Sequence, residues 1–512
     1  MPEILDTLLA AIEHQRAGRR AEAEALYRSV LAAEPGHGQA LYLYGLLQLE
    51  AGRQHEAAST LQQATAARPG HAGALANLGR ALLADGRSAE ALAAANRLLK
   101  LEPKHPQAEF LRGTALNALG EPALAAEAFQ HALALDGGNA AALLNLGNAC
   151  ADMDQLENAE RCCREAIRLA PDLFEAYASL GFVLTSRGRL DAAIAACEAA
   201  IALRPDFAQA HWNEAVAALL AGDFVLGFAK YEWRKRHDRF RRDFVDLPRP
   251  QWDGSDPAGR TILVHAEQGL GDTIQFARYL PLIDARGGRA VLACERPLIP
   301  LLAGMPGVSV VPKDAPPPRY DCWIDQMSLP RVFATRLDTI PAAEGYLQAD
   351  PALTAAWRAT LPDGPNVGLA WAGNPAHSND RRRSLPAAVL ERILAVPDIS
   401  FVNLQVGPRA TEIGLADLSP RLTDYAETAA LIAALDLVVT VDTSVAHVAG
   451  ALGKPAWVML PYAPDWRWLL GRDDTPWYSS LRLFRQPAPG DWDAVITAVT
   501  GALECRKAGR RR

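Results

Sequence analysis

Hydrophobic and polar positions follow two textures along the chain. As far as about residue 231 the apolar residues recur with helical spacing, whereas after Trp252 short β-branched runs alternate with helical stretches, the sign of parallel βαβ construction. The helical part repeats. Prolines stand at Pro35, Pro69, Pro103, Pro171 and Pro205, with Gly137 in the remaining place, a period of 34 residues. Two glycine series keep the same period: Gly45, Gly79, Gly113, Gly147 and Gly181, and Gly18, Gly52, Gly86, Gly120, Gly188 and Gly222. The first series lies on one predicted helix of each unit. Twelve positions later the second helix carries a small residue: Ala57, Ala91, Ala125, Ala159 and Ala193. Small residues at a crossing let two helices approach closely. The second glycine series stops the first helix with a left-handed cap, and the proline stops the second. Large residues at Tyr27, Leu61 and Phe129 are expected to fill the gaps between neighbouring pairs, so that each unit buries a face by stacking on the next.

This pattern resembles the tetratricopeptide repeat, over residues 4 to about 207 as six units, with a degenerate seventh that keeps Ala215, Gly222, Gly227 and Tyr231. The resemblance implies an α-solenoid over residues 1–235, a superhelix whose concave side takes extended peptides. Two residues before Gly79, Gly147 and Ala215 stand Asn77, Asn145 and Asn213. A carboxamide can pair with both the N–H and the C=O of a peptide backbone. The arrangement is similar to the asparagine ladder of the eukaryotic O-GlcNAc transferases, although Leu43, Leu111 and Ser179 interrupt it. Acceptor binding by these three residues competes with the plainer fact that asparagine is common at this place in the repeat. The repeats then run into the basic and aromatic residues 233–244, part of a seam that reaches to residue 260. Its two readings are a capping helix and linker on the second domain, or a contact surface for a phosphate or an acceptor.

Strands are predicted at 261–266, 289–294, 308–311 and 320–324, and again at 367–371, 399–404, 437–441 and 456–460. A stretch rich in Pro and Ala, 339–365, separates the two series. Two Rossmann-like lobes follow, 261–345 and 346–505, with a cleft at the carboxyl ends of their strands, where such sheets bind ligands.

Three strand-end motifs carry candidate chemistry. The first, His265 to Tyr279, has Gly269 and Gly271 for a tight turn and close approach of a ligand to backbone, with Asp272 in the first turn of the following helix. Asp272 reads either as a cleft carboxylate or as a helix cap. The second runs from Trp371 through Asn374 to Arg381, Arg382 and Arg383, guanidinium groups suited to a diphosphate or simply a solvated loop. The third, Val441 to Pro455, brings Asp442, Thr443 and Ser444 to a helix start, a ready phosphate site, with His447 one turn in. Neither the dinucleotide fingerprint nor a P-loop is present: Ile274 stands where a third glycine belongs, and Val448 and Pro455 break the other.

Together these segments resemble the bacterial heptosyltransferase-like family of GT-B glycosyltransferases, over residues about 261 to 500. With the repeats added, the chain is similar to bacterial repeat-containing glycosyltransferases, some of which modify proteins such as flagellin. The resemblance implies a nucleotide-sugar-dependent, inverting transfer without a metal, to a protein or glycan acceptor recruited by the solenoid. It makes Asp272 the base. It puts Gly269, Gly271, Asn374, Arg383, Asp442, Thr443, Ser444 and His447 around the nucleotide sugar, which is a substrate, so that no cofactor is implied. A catalytically silent scaffold or adaptor and a nucleotide-sugar epimerase are the competing readings.

Composition narrows the partners. Lys plus Arg is 52 against 59 for Asp plus Glu, a net charge of −7 that argues against nucleic acid. The chain starts with acidic, helix-periodic residues where a signal peptide would have a basic and then an apolar run, and no apolar stretch approaches the ~20 residues of a membrane span. A cytoplasmic protein with reduced thiols is expected. The seven cysteines lack metal spacing, and Cys150, Cys163 and Cys197 fall on core positions of the repeats. The basic tail 506–512 reads as a solvated end, with contact to an anionic membrane surface as the alternative.

Overall fold

The computed structural model describes residues 2–510 apart from 246, 342–344 and 378, with backbone alone at residues 2, 242, 243 and 507–510. Fourteen α-helices precede the first strand among the described residues, in seven pairs that run from Pro2–Arg16 to Phe224–Tyr231. Within each pair the chain reverses through the second glycine series, with φ of 72° at Gly52, 77° at Gly86 and 81° at Gly120. Asp154 takes the place where that series skips a glycine, and adopts the same left-handed backbone at φ 60°. The first helices are capped with the same period. His37, His71, His105 and Asn139 each accept the backbone N–H three residues on, at 2.9–3.2 Å.

The first glycine series works at helix crossings, inside the pair at Gly45, Gly113 and Gly147 and against Leu111 of the next pair at Gly79. A Cβ on Gly45 would stand 2.6 Å from Leu61, and one on Gly113 would stand 2.7 Å from Phe129. Leu61 and Phe129 therefore press on the first helix of their own pair. Ala57, Ala91, Ala125 and Ala159 are fully buried. So are Cys163 and Cys197, whose thiols burial pushes up to about 12, out of reach of ordinary thiolate chemistry.

The chain forms two compact units, Met1–Val183 and Leu184–Arg512. The division falls inside the helix Phe174–Ser186, while the paired helices run on to Tyr231. Helices Leu190–Leu203, Ala208–Ala221 and Phe224–Tyr231 belong with the α/β part: Leu190 and Trp212 pack against its core, and Phe224, Phe228 and Tyr231 are built into it. Trp466 meets Phe224, Phe228, Tyr231 and Trp477 edge to face at 5.7–6.3 Å, and Phe224 stacks on Trp477 at 5.6 Å.

Two parallel sheets follow. The first contains β1 (Thr261–His265), β2 (Arg289–Cys294), β3 (Val308–Pro312) and β4 (Cys322–Asp325) in the order β3-β2-β1-β4. The second contains β5 (Asn366–Ala370), β6 (Ser400–Asn403), β7 (Leu437–Val441), β8 (Ala456–Leu460) and β9 (Leu481–Arg485) in the order β6-β5-β7-β8-β9. Every neighbouring pair is parallel, and β5, β7 and β8 are buried throughout, as covering on both faces requires. Eight strands lie where the sequence pattern puts them. The pattern misses β9, an edge strand whose Arg482 points to solvent between buried Leu481 and Leu483.

The closing helix Trp492–Arg510 packs on the second sheet, and Arg506 at its end donates to the Asp436 carbonyl at 3.2 Å. The side chains of the basic tail beyond Arg506 lie outside the described residues. No helix among those described is long and apolar enough to cross a membrane.

Gly113→Ala should lower the stability of the chain by about 1–3 kcal/mol, because its Cβ overlaps a fully buried phenyl ring. Gly36→Ala, with open space at the same atom, should stay within about 0.5 kcal/mol, as denaturant unfolding followed by circular dichroism would read out.

Candidate functional site at the junction of the two lobes

The turn from Glu267 to Asp272 joins β1 to the helix Leu270–Phe276 and is gripped by three side chains from elsewhere. From behind, Arg234 of the seam forms a bidentate pair with Glu267, Nε to Oε2 at 2.9 Å and Nη2 to Oε1 at 2.5 Å, with neither side chain exposed at all. Ser328 Oγ and the Met327 N–H complete the satisfaction of the pair. In the middle, the Tyr231 hydroxyl donates to Gln268 Oε1 at 3.1 Å. In front, Arg467 of the second lobe donates through Nη2 to Asp272 Oδ1.

The two oxygens of Asp272 have separate partners. Oδ2 accepts the Gly269 N–H at 2.8 Å as a capping-box acid, while Oδ1 meets Arg467 at the cleft. A fifth of the side chain stays exposed, so a further hydroxyl can reach the carboxylate. Arg467 has no spare direction. Its Nε donates to Gln275 Oε1 at 2.6 Å and its Nη1 to Asp465 Oδ1 at 2.9 Å, and its charge lies 4.3 Å from the Trp466 ring centre.

Opposite this turn, β7 ends at Val441 and the helix Ser444–Ala451 begins three residues later. Tyr425 donates to Ser444 Oγ at 2.7 Å, and Thr443 shares its hydroxyl with Thr440 at 3.3 Å. Burial, reinforced by the Asp465 carboxylate, pushes the Asp442 carboxyl up to about 6 against the pull of Arg383 and Arg467. Arg383 donates to the Asp442 carbonyl at 2.9 Å and to Asp380 at 3.3 Å. This folds the arginine loop back over Gly373, at which any Cβ would collide with both Arg383 and Asp380. Arg383 is thus a clamp between loops as well as a positive charge beside the cleft. Asn374 is exposed, its Oδ1 accepting the Ala376 N–H at 3.0 Å.

His447 does not stand open to the cleft as its helical spacing predicts. It is 5 % exposed, shares Nδ1 with the Tyr478 hydroxyl at 2.9 Å and stacks on Trp468 at 5.7 Å. A Cβ on Gly271 would lie 2.7 Å from its ring, so the glycine is needed for the two helices to meet. Burial and three nearby arginines hold the imidazole well below its ordinary pKa, and it is a neutral wall, not a cation for phosphate. The asparagines also depart from the expected ladder. Asn213 is 5 % exposed with Oδ1 accepting from Gln209, and Asn77 spends its amide on the Gly73 carbonyl and Arg80. Asn145 is half-buried.

Sequence reasoning passed over Arg467 and Asp465 although they follow the end of β8, the same strand-end position that singles out the other motifs. Arg278 was also missed. It is buried, donates to the Trp477 carbonyl at 2.7 Å and lies 4.6 Å from the Tyr478 ring centre, a second cationic tie between the lobes.

Comparison with known proteins matches two parts of the chain. Residues 8–72, 48–109, 76–140 and 180–232, and separately 140–173, match tetratricopeptide repeat models. Residues 408–459 match glycosyltransferase family 9 (heptosyltransferase), a stretch that holds β7 and the Asp442–His447 segment. The chain combines tetratricopeptide repeats with a heptosyltransferase-like region. It is 33 % identical over 320 residues to Protein FlbA of Caulobacter vibrioides, covering 54 % of this chain and 53 % of FlbA, so it spans about half the length of that relative. Among solved structures, a tetratricopeptide repeat protein from Parabacteroides merdae is 17 % identical with a TM-score of 0.41, covering 46 % of this chain and 94 % of its own. YrrB, described as a TPR protein with an unusual peptide-binding site, is 18 % identical with a TM-score of 0.30, covering 36 % and 95 %.

Two outcomes follow from the charges at this junction. Arg234→Met leaves Glu267 buried without its partner and should cost about 3–5 kcal/mol, part of which Arg234→Met combined with Glu267→Gln should recover in chemical denaturation. Asp442 binds its proton more tightly folded than unfolded, so its contribution to stability falls as pH rises from about 4 through about 6. Asp442→Asn should therefore melt above the wild type at pH values beyond about 7, with the gap closing toward pH ~4 in a pH series of melting curves.

Proposed function

We propose that the chain is a nucleotide-sugar-dependent glycosyltransferase of the GT-B type, acting on a protein or glycan acceptor brought by the repeats. The observation that carries this reading is the convergence of Asp272 on Arg467 from the opposite lobe, beside the Asp442–Ser444 helix start. A carboxylate with one exposed side faces a helix start and several guanidinium groups, the combination that activating a hydroxyl and holding a diphosphate requires. The family 9 match over the Asp442–His447 segment supports the same assignment.

In this mechanism Asp272 takes the proton of the acceptor hydroxyl as its oxygen bonds to the anomeric carbon. The bond to the nucleoside diphosphate breaks on the opposite face, and the leaving group departs with the electron pair, which inverts the anomeric centre. Arg383 and the N–H groups at Thr443 and Ser444 meet the growing negative charge, with Asn374 at the open edge of the pocket. Gly269 and Gly271 keep the turn close to the donor, and His447 and Trp468 wall the site. Fixed guanidinium and N–H groups do what a divalent metal does elsewhere. Protein acceptors such as flagellin suit a solenoid that takes extended peptides, with Asn77 and Asn145 on its inner helices as contacts.

A melting-shift and product screen of the full chain against a panel of nucleotide sugars tests this. One donor should stabilise the wild type and Asp272→Asn alike, Arg383→Gln should weaken that shift, and transfer to protein in a cell lysate should fall by at least about a hundredfold in Asp272→Asn. A protein that no nucleotide or nucleotide sugar stabilises would point to the scaffold reading instead.

A further inference from the structure

Gln268 combines two costs that nothing in the fold repays. Its backbone is left-handed at φ 63°, one of five such non-glycine residues among those described. Its side-chain Nε2 is buried without a hydrogen-bond partner. Leu469, two residues past Arg467, is left-handed as well at φ 53°, so strained backbone flanks the Asp272–Arg467 bridge on both sides.

The orientation of the Gln268 amide is set by the last repeat. Tyr231 is 1 % exposed, packed 4.8 Å from Trp212 and 6.2 Å from Trp466, and burial holds its hydroxyl protonated far above the ordinary range. That hydroxyl needs an acceptor and finds Gln268 Oε1 at 3.1 Å. The amide carbonyl is thereby turned toward the repeat helix, and two N–H donors are left without a partner on a part-buried side chain, next to exposed Gly269 and four positions before Asp272.

Resting on the glycosyltransferase reading above, we infer that Gln268 binds the acceptor: its Nε2 donates to an acceptor oxygen beside the hydroxyl that Asp272 deprotonates, and Tyr231 is the positioning residue that aims it. The donor's phosphates belong to the opposite lobe, at the Ser444 helix start, while Gln268 sits on the turn tied to the terminal repeat. The helix Phe224–Tyr231 is in this way part of the acceptor site, and the solenoid ends inside the chemistry it serves.

The test uses full chain, the nucleotide sugar giving the largest melting shift as donor, and a degenerate serine- and threonine-containing peptide library as the acceptor probe. Gln268→Glu keeps an acceptor for Tyr231 but removes the donor. It should raise the acceptor KM by about tenfold or more with the donor KM and the donor-induced melting shift unchanged, and Tyr231→Phe should move the acceptor KM in the same direction by less. A change in donor KM alone, or no change in either, overturns the proposal. A second measurement needs no substrate. The pair Gln268→Gly with Tyr231→Phe removes the strain and both halves of the hydrogen bond, and should melt at or above the wild-type temperature; a clear loss of stability would make the amide a structural part and overturn the proposal. If the wild type transfers nothing from any donor, the glycosyltransferase reading fails first and takes this one with it, whereas an active wild type with an indifferent Gln268→Glu leaves that reading standing.

Discussion

The six residues from Glu267 to Asp272 can hold their shape only because guanidinium groups from two distant segments neutralise the carboxylates at either end. A buried carboxylate without a partner is expensive, and Glu267 has no exposure at all, so the turn depends on Arg234 from the seam. Asp272 at the other end is less enclosed, and its partner comes from the second lobe. One turn thus requires the last repeat, the first lobe and the second lobe to be in register together.

The aromatic residues around Trp466 give that electrostatic arrangement its rigidity. Phe224, Phe228 and Tyr231 of the last repeat helix, Phe276 of the first lobe and Trp477 of the second surround one indole. Rings meeting edge to face exclude water, and exclusion of water strengthens the nearby ion pairs. Arg278 and Arg467 lie against rings from this same group, so charge and ring packing share atoms. The last repeat is consequently an integral part of the α/β unit, and the compact division at Val183 and Leu184 reflects this.

The candidate site holds several groups at a cost in stability. Asp442 carries a carboxyl that its surroundings push up to about 6, and Gln268 and Leu469 hold backbone that other residues avoid. Such costs persist where the surrounding structure over-determines them, and here they gather around one cleft. His447 packs between Gly271 and Trp468.

Local rules were enough for much of this protein. A 34-residue period with glycine where two helices cross and glycine where the chain reverses allows few structures, because the glycines answer local demands, as Gly45 against Leu61 and Gly52 at φ 72° illustrate. The parallel strands were equally legible, since a strand covered on both faces must be apolar throughout; β9, at an edge with Arg482 outward, was not. The strand-end motifs were visible for the same local reason. Which of their side chains meet was not visible, because Asp272 and Arg467 are 195 residues apart and nothing in either segment names the other. Only tertiary packing decided that His447 and Asn213 are enclosed, that Arg383 clamps a carbonyl, and that Tyr231 reaches Gln268. Burial and pairing of polar groups depend on what arrives from elsewhere in the chain, and that is a property of the folded whole.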